Sequence, residues 1–222
     1  MLEALFGVLV GALIVVRVEE FRKPSLKFRL VPTTDGQYPP NRPAKRSRLA
    51  HLQVLNMVLP KWARWMARNA ALQCRGTVSF HHMDGQNVFG RAMPVKWVRT
   101  VEALPMEIRG PDGESVIGYL FDPLRITSES RTDIAPGEAT EFTVAVRFDD
   151  DEDCYGWNLE SYQSNPPWRN PRWKLPHGRY LIRAEIFSGD QSCSEVYRLV
   201  NDVPTDAFRI EPAIPGDASK LR

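Results

Sequence analysis

The chain has 222 residues, 43% apolar and 25% charged. That suits one large domain or an ordinary domain with appendages, and it excludes a wholly disordered chain and a multi-span membrane protein. Three cysteines are too few for a disulfide framework, and 14 Gly with 18 Pro exclude a collagen-like or low-complexity sequence. The net charge of +2 conceals an asymmetry: residues 17–100 hold 16 bases against four acids, whereas residues 101–222 hold 13 bases against 22 acids.

Ala4 to Val16 is an unbroken apolar run, short against the ~20 residues of a full bilayer span. No base precedes it; Arg17, Arg22, Lys23, Lys27 and Arg29 follow. A secretory signal peptide carries its positive charge on the other flank. This asymmetry predicts an uncleaved transmembrane helix over residues 1–20, with the N-terminus outside and the C-terminal domain cytoplasmic. A buried or interfacial N-terminal helix is the alternative reading. Gly7 and Gly11 have the spacing through which two such helices approach closely, a candidate homodimer contact. The basic residues just beyond, Arg17, Arg22 and Lys23 first among them, suit the anionic lipid of the inner leaflet.

Residues 21–47 read as a basic juxtamembrane segment with a first strand at Leu26–Val31 and a Pro-rich connector, Pro32 to Pro43. From 48 to 211 period-two patterning dominates. Leu72, Cys74, Val78 and Phe80 alternate with polar residues, as do Phe142, Val144, Val146 and Phe148, and then Tyr180, Ile182, Ala184 and Ile186. Weaker strands fit Ala50–Asn56, Val116–Phe121 and Val196–Val200. Asp84-Gly85 and Gly189-Asp190 are hairpin turns in waiting, because Gly supplies the positive φ such turns need; Pro111-Asp112-Gly113 and Pro136-Gly137 are further turns. Lys61–Ala71 is the one helical stretch inside the domain, and residues 212–222 read as a flexible tail. Seven to nine short strands separated by turns, with no βαβ rhythm, predict a mainly β protein: an antiparallel β-sandwich with one transmembrane helix and a short internal helix.

The run PGEATEFTVAVRF followed by HGRYLIRAEIFSGDQSCSEVYRLVND resembles the closing strands of Ig-like sandwiches in the broad sense, fibronectin type III or cadherin-type. The resemblance covers the last third of the chain and, more loosely, the middle. It lacks the Cys…Trp…Cys spacing of antibody domains. It implies a fold and carries no catalytic residue.

No catalytic motif, metal-ligand spacing or cofactor fingerprint is present. His81 and His82 are adjacent on a strand end and point to opposite faces. Cys154 follows five consecutive acids, Asp149 to Asp153, which raise a thiol pKa and disfavour a nucleophile; the acids themselves lack the spaced ligands of a calcium loop. No nucleic-acid reader pattern accompanies the basic excess. Trp62 and Trp65, with Lys61, Arg64 and Arg68 beside them, have a membrane-interface composition. The long connection from Tyr155 to Lys174 carries Trp157, Trp168, Arg169, Arg172 and Trp173, a hot-spot composition for a protein partner; a self-buried loop is the alternative. These features predict a membrane-held binding or scaffolding module without catalysis. Two other readings are an extracytoplasmic sugar- or calcium-binding module, and a hydrolase using carboxylates such as Asp150 or Glu160.

Overall fold

The computed structural model describes residues 2–38, 45–98, 104–109, 113, 115–120, 131–163 and 168–221. Two antiparallel sheets make up the domain, consistent with a generic β-sandwich. The first is built on β3 (Lys45–Asn56) and β10 (Ala139–Phe148). One flank of β3 carries both β1 (Leu26–Leu30) and β2 (Thr34–Tyr38); β10 covers the other. Beyond β10, β6 (Lys96–Trp97) and β11 (Cys154–Gly156) each pair with it directly, and β12 (Lys174–Leu175) pairs with β11. The second sheet runs β15-β14-β13-β4-β5, with β9 added to β4. Here β4 is Ala71–His81, β5 Met93–Pro94, β9 Thr132–Ile134, β13 Arg179–Ser188, β14 Gln191–Val200 and β15 Arg209–Pro212. A separate hairpin pairs β7 (Leu104–Arg109) with β8 (Ser115–Leu120).

The main core lies between the sheets, with Phe28, Leu52, Val54 and Phe142 from the first meeting Val78, Phe80, Ile182 and Leu199 from the second. Edge-to-face rings lock it: Phe142 is 5.6 Å from Trp97 and 6.4 Å from Phe28. His51 is buried across the first sheet, its Nε2 2.6 Å from Thr34 Oγ1 and its Nδ1 3.0 Å from Thr143 Oγ1. Burial lowers its pKa, against the weaker pull of Glu141.

Two bulges decide which residues reach that core. In β4, Gln73 adopts a positive φ of 54° and its N–H donates to Asp133 Oδ1 at 2.7 Å. The register shifts between Ala71 and Cys74, so both of those are buried and Leu72, expected inside, points to solvent. In β10 the register shifts between Thr143 and Ala145. Phe142, Val144 and Ala145 face the main core, while Val146 and Phe148 turn to a second cluster with Tyr155 and Trp157. The single face expected for Phe142, Val144, Val146 and Phe148 is thus split between two.

Other expectations are corrected. The Pro32–Pro43 connector contains β2. The helix expected over Lys61–Ala71 is only a 3₁₀ turn at Lys61–Ala63, and Ala71 already belongs to β4. The hairpin at Asp84-Gly85 forms, with Gly85 N–H donating to His82 O at 2.9 Å and φ of 99° at the glycine. Of the Pro111-Asp112-Gly113 turn, only Gly113 lies within the described residues.

The N-terminal helix, α1, spans Leu2–Arg22. Among the described residues no helix is long and apolar enough to cross a membrane, which overturns the expected transmembrane span. The 13 uninterrupted apolar residues from Ala4 to Val16 rise only ~20 Å, against a hydrocarbon core of ~30 Å. The rest of α1 brings in Glu3, Arg17, Glu19, Glu20 and Arg22.

The C-terminal residues, expected to be a flexible tail, are docked. A short helix, Asp217–Lys220, follows Gly216, Leu221 is buried, and Arg183 donates to its carbonyl at 2.5 Å. Asp217 is buried and accepts from Arg198 through both oxygens, at 2.6 and 3.0 Å. Arg198 holds the Asp217 carboxyl down at about 2, below its ordinary 3.8. Because the folded pKa is the lower one, the pair stabilises the fold above pH ~4 and this is lost as pH falls toward 2. Urea unfolding between pH 4 and 2 is expected to show that loss, whereas Asp217→Asn is expected to be less stable at pH 7 and flatter across the same window.

Asn56 joins α1's end to the sandwich. Its side chain, fully buried, donates to Asn69 O and Ile134 O at 3.1 Å each and accepts the Ser25 N–H at 3.1 Å. Asn56→Ala is expected to cost about 3 kcal/mol, because it leaves one buried and two partly buried backbone groups unpaired; chemical denaturation measures it.

Candidate functional site: the tryptophan end of the sandwich

The chain leaves α1 at Arg22, and residues 22–25 run against residues 56–69. Asn69 N–H donates to Arg22 O at 2.7 Å, Arg22 Nε to Ala67 O at 3.1 Å, and Met57 N–H to Ser25 O at 2.8 Å. Phe21 meets Trp62 with ring centroids 5.4 Å apart. The five residues expected at a membrane interface therefore come together: Arg17, Arg22 and Lys23 at the C-terminal end of α1, Trp62 and Trp65 on the turn packed beside it. Trp62 is 68% and Trp65 79% exposed, unusual for the largest apolar side chain.

Apolar residues that the period-two pattern did not single out as exposed join this end. Ser188 Oγ donates to Leu72 O at 2.9 Å, and Lys23 pairs with Asp190 at 3.4 Å, so the start of β4 and the β13–β14 turn lie beside α1. Met57, Val58, Trp62, Trp65, Leu72 and Phe187 are all exposed here; outside α1, the only other large exposed hydrophobics among the described residues are Val98 and Ile214. The β4 bulge is what turns Leu72 outward, and bulges leave no mark in a hydropathy pattern. Along α1 itself Leu9, Val10, Leu13, Ile14, Val15 and Val16 are exposed; at 100° per residue they cover the whole circumference. Clustered exposed apolar side chains are a feature of surfaces that meet proteins, membranes or ligands. Lys61 and Arg64 are exposed within it. Around Gly11 there is open space, and a Cβ there would meet nothing within 4 Å; the side-chain surroundings of Gly7 lie outside the described residues.

The aromatic connection is packed against the sandwich. Val146 and Phe148, turned outward by the β10 bulge, are covered by Tyr155, Trp157 and Trp168. Trp157 is buried and stacks edge-on to Trp168 at 4.8 Å; Trp168 holds a left-handed φ of 67°, a conformation sustained by that packing. Trp173, expected on a partner face, belongs to the main core at 1% exposure, with Phe89 5.0 Å away and its Nε1 donating to Glu160 Oε2 at 3.1 Å. Arg169 lies over the Phe148 ring at 4.1 Å, is hydrogen-bonded to Asp150, and is 3.6 Å from Asp151. Arg172 alone of the five expected partner-binding residues is exposed.

The acidic run is neutralised from the same segment. Asp150 and Asp151 face Arg169, and Asp153 pairs with Lys174 at 2.6 Å. Asp151 also accepts from Tyr155 Oη at 2.8 Å. Among the described residues no group of three or more His, Cys, Asp or Glu side chains is arranged to hold a metal ion. Burial pushes the thiols of Cys154, Cys74 and Cys193 up, away from the thiolate a nucleophile needs. No protein-family model matches the chain, and neither a curated protein nor a solved structure shows significant similarity to it.

Arg169→Ala removes a cation–π contact and two carboxylate partners, and is expected to lower stability by about 1–2 kcal/mol. Thermal unfolding checks it, with Arg172→Ala as the near-neutral comparison.

Proposed function

We propose that this protein is a non-catalytic binding module that rests on an anionic bilayer surface through α1 and the tryptophan end, holding its β-sandwich close to the membrane for a protein partner. The observation that carries the reading is the convergence of six exposed apolar side chains, an apolar helix and a basic rim on one end of the sandwich. Trp supplies an amphipathic ring suited to the headgroup level, and Lys and Arg add about 1 kcal/mol each near an anionic surface. The apolar stretch of α1, at ~20 Å too short to cross, adds apolar surface to that contact. The resemblance of the closing strands to Ig-like sandwiches supports such a role, since sandwiches of that type commonly present a face to another protein. Among the described residues of the aromatic connection, Arg172 and its exposed neighbours are open for that contact.

Flotation of the full chain with vesicles tests the reading. Recovery is expected to be high on phosphatidylcholine–phosphatidylglycerol mixtures and low on phosphatidylcholine alone, and to fall as salt rises. Replacing Trp62 and Trp65 together by Ala should weaken binding about tenfold or more, since two large apolar side chains are removed from the contact. Equal recovery on neutral and anionic vesicles, or none on either, would overturn it.

A further inference from the structure

α1 and the 3₁₀ turn enclose an open groove of about 350 Å³, walled by Val10, Ile14 and Phe21 on one side and by Trp62 and Met66 on the other, with Arg17 among them. Resting on the membrane-surface reading above, we infer that this groove holds one acyl chain of an anionic phospholipid, with the phosphate on the Arg17 guanidinium. From Val10 to Phe21 the helix runs ~16 Å, so the groove is elongated and suits a chain better than a compact ligand. Its walls are apolar except for Arg17. Among the described residues Arg17 has no ion pair or hydrogen bond, whereas the neighbouring cations are engaged: Arg22 with Glu19 at 3.1 Å, Lys23 with Glu20 at 2.8 Å. An apolar slot beside an unpaired guanidinium complements an amphiphile with a negative head, because Arg offers a planar donor fork to phosphate. Lys61 and Arg64 extend the positive charge around the same turn. A second copy of this chain fits less well, since it brings the same basic end against itself.

The test uses the full chain and phosphatidylglycerol–phosphatidylcholine vesicles in which the phosphatidylglycerol acyl chains are brominated, so that they quench nearby tryptophan. The chain has six tryptophans, and the Trp62→Phe variant isolates the share of Trp62. Brominated phosphatidylglycerol is expected to quench the wild type distinctly more than Trp62→Phe, at equal amounts of bound protein. Arg17→Gln should weaken binding to these vesicles by more than the about fivefold that one basic side chain contributes by proximity alone, and by more than Lys61→Gln does. Vesicle binding with no quenching of Trp62, or equal effects of Arg17→Gln and Lys61→Gln, would overturn the groove while leaving surface docking intact. Failure to bind any vesicle would remove both. Sedimentation showing a lipid-free dimer in which Trp62 is shielded would assign the groove to a second copy and overturn the lipid.

Discussion

The side chain of Asn56 is the constraint on which the arrangement at this end depends. It stands at the last position of β3, and its amide satisfies backbone groups from three separate segments: the residue after the helix exit, the end of the tryptophan turn, and the last residue of β9. Its own N–H and C=O are taken by Glu138 and Gly137. Each of these groups would be costly to bury without a partner. One amide thus fixes where α1 leaves the sandwich, and through it where Trp62 sits against Phe21. The composition of the candidate surface follows from that joint: the helix exit and the turn share one end because they share one buried hydrogen-bonding centre, and the β13–β14 corner joins them through Lys23–Asp190 and Ser188–Leu72.

Bulges do the corresponding work inside the sheets. A strand without one gives each sheet two faces of fixed membership, but the extra residue in β10 hands Val146 and Phe148 to the outside. Two large apolar residues on an outer face need a cover. Tyr155, Trp157 and Trp168 of the connection that follows supply it. The charges follow the packing: Arg169 is pinned over Phe148, so Asp150 and Asp151 find their counter-ion there, and the most acidic stretch of the chain is part of the clasp that keeps the cover closed.

Much of the architecture was legible in the residues. Period-two runs placed β1, β3, β4, β8, β10, β13 and β14, and Gly85 and Gly189 marked real turns, because alternation and positive φ are local properties. What escaped depended on distant partners. β2 lies within a Pro-rich stretch and exists because β3 is long enough to pair with it beside β1. Residues 61–71 have a helical apolar pattern, yet Pro60, the short length and the start of β4 leave room for one turn only. The faces of Leu72, Val146 and Phe148 depart from strict alternation for a single reason: a bulge shifts the phase of a strand by one and is set by backbone pairing. For the candidate site, the Trp62, Trp65 and basic cluster was visible as composition, while the contributions of Leu72, Phe187, Met57 and Val58 required three-dimensional neighbours. The apolar N-terminal run was correctly seen as a helix, but its charged ends and short greasy stretch do not meet the requirements of a span.

The place of α1 in the chain has a consequence for biosynthesis. The hydrogen bonds that fix its exit reach as far as Ile134, its ion pair reaches Asp190, and the sheets close only when β13 pairs with β4, about 160 residues after Arg22 has been made. At translation rates of roughly 5–20 residues per second, a helix with apolar residues on every side waits some ten seconds or more before its own domain exists. Whatever surface the helix later meets, its apolar side chains are made before the strand pairings that close the sandwich.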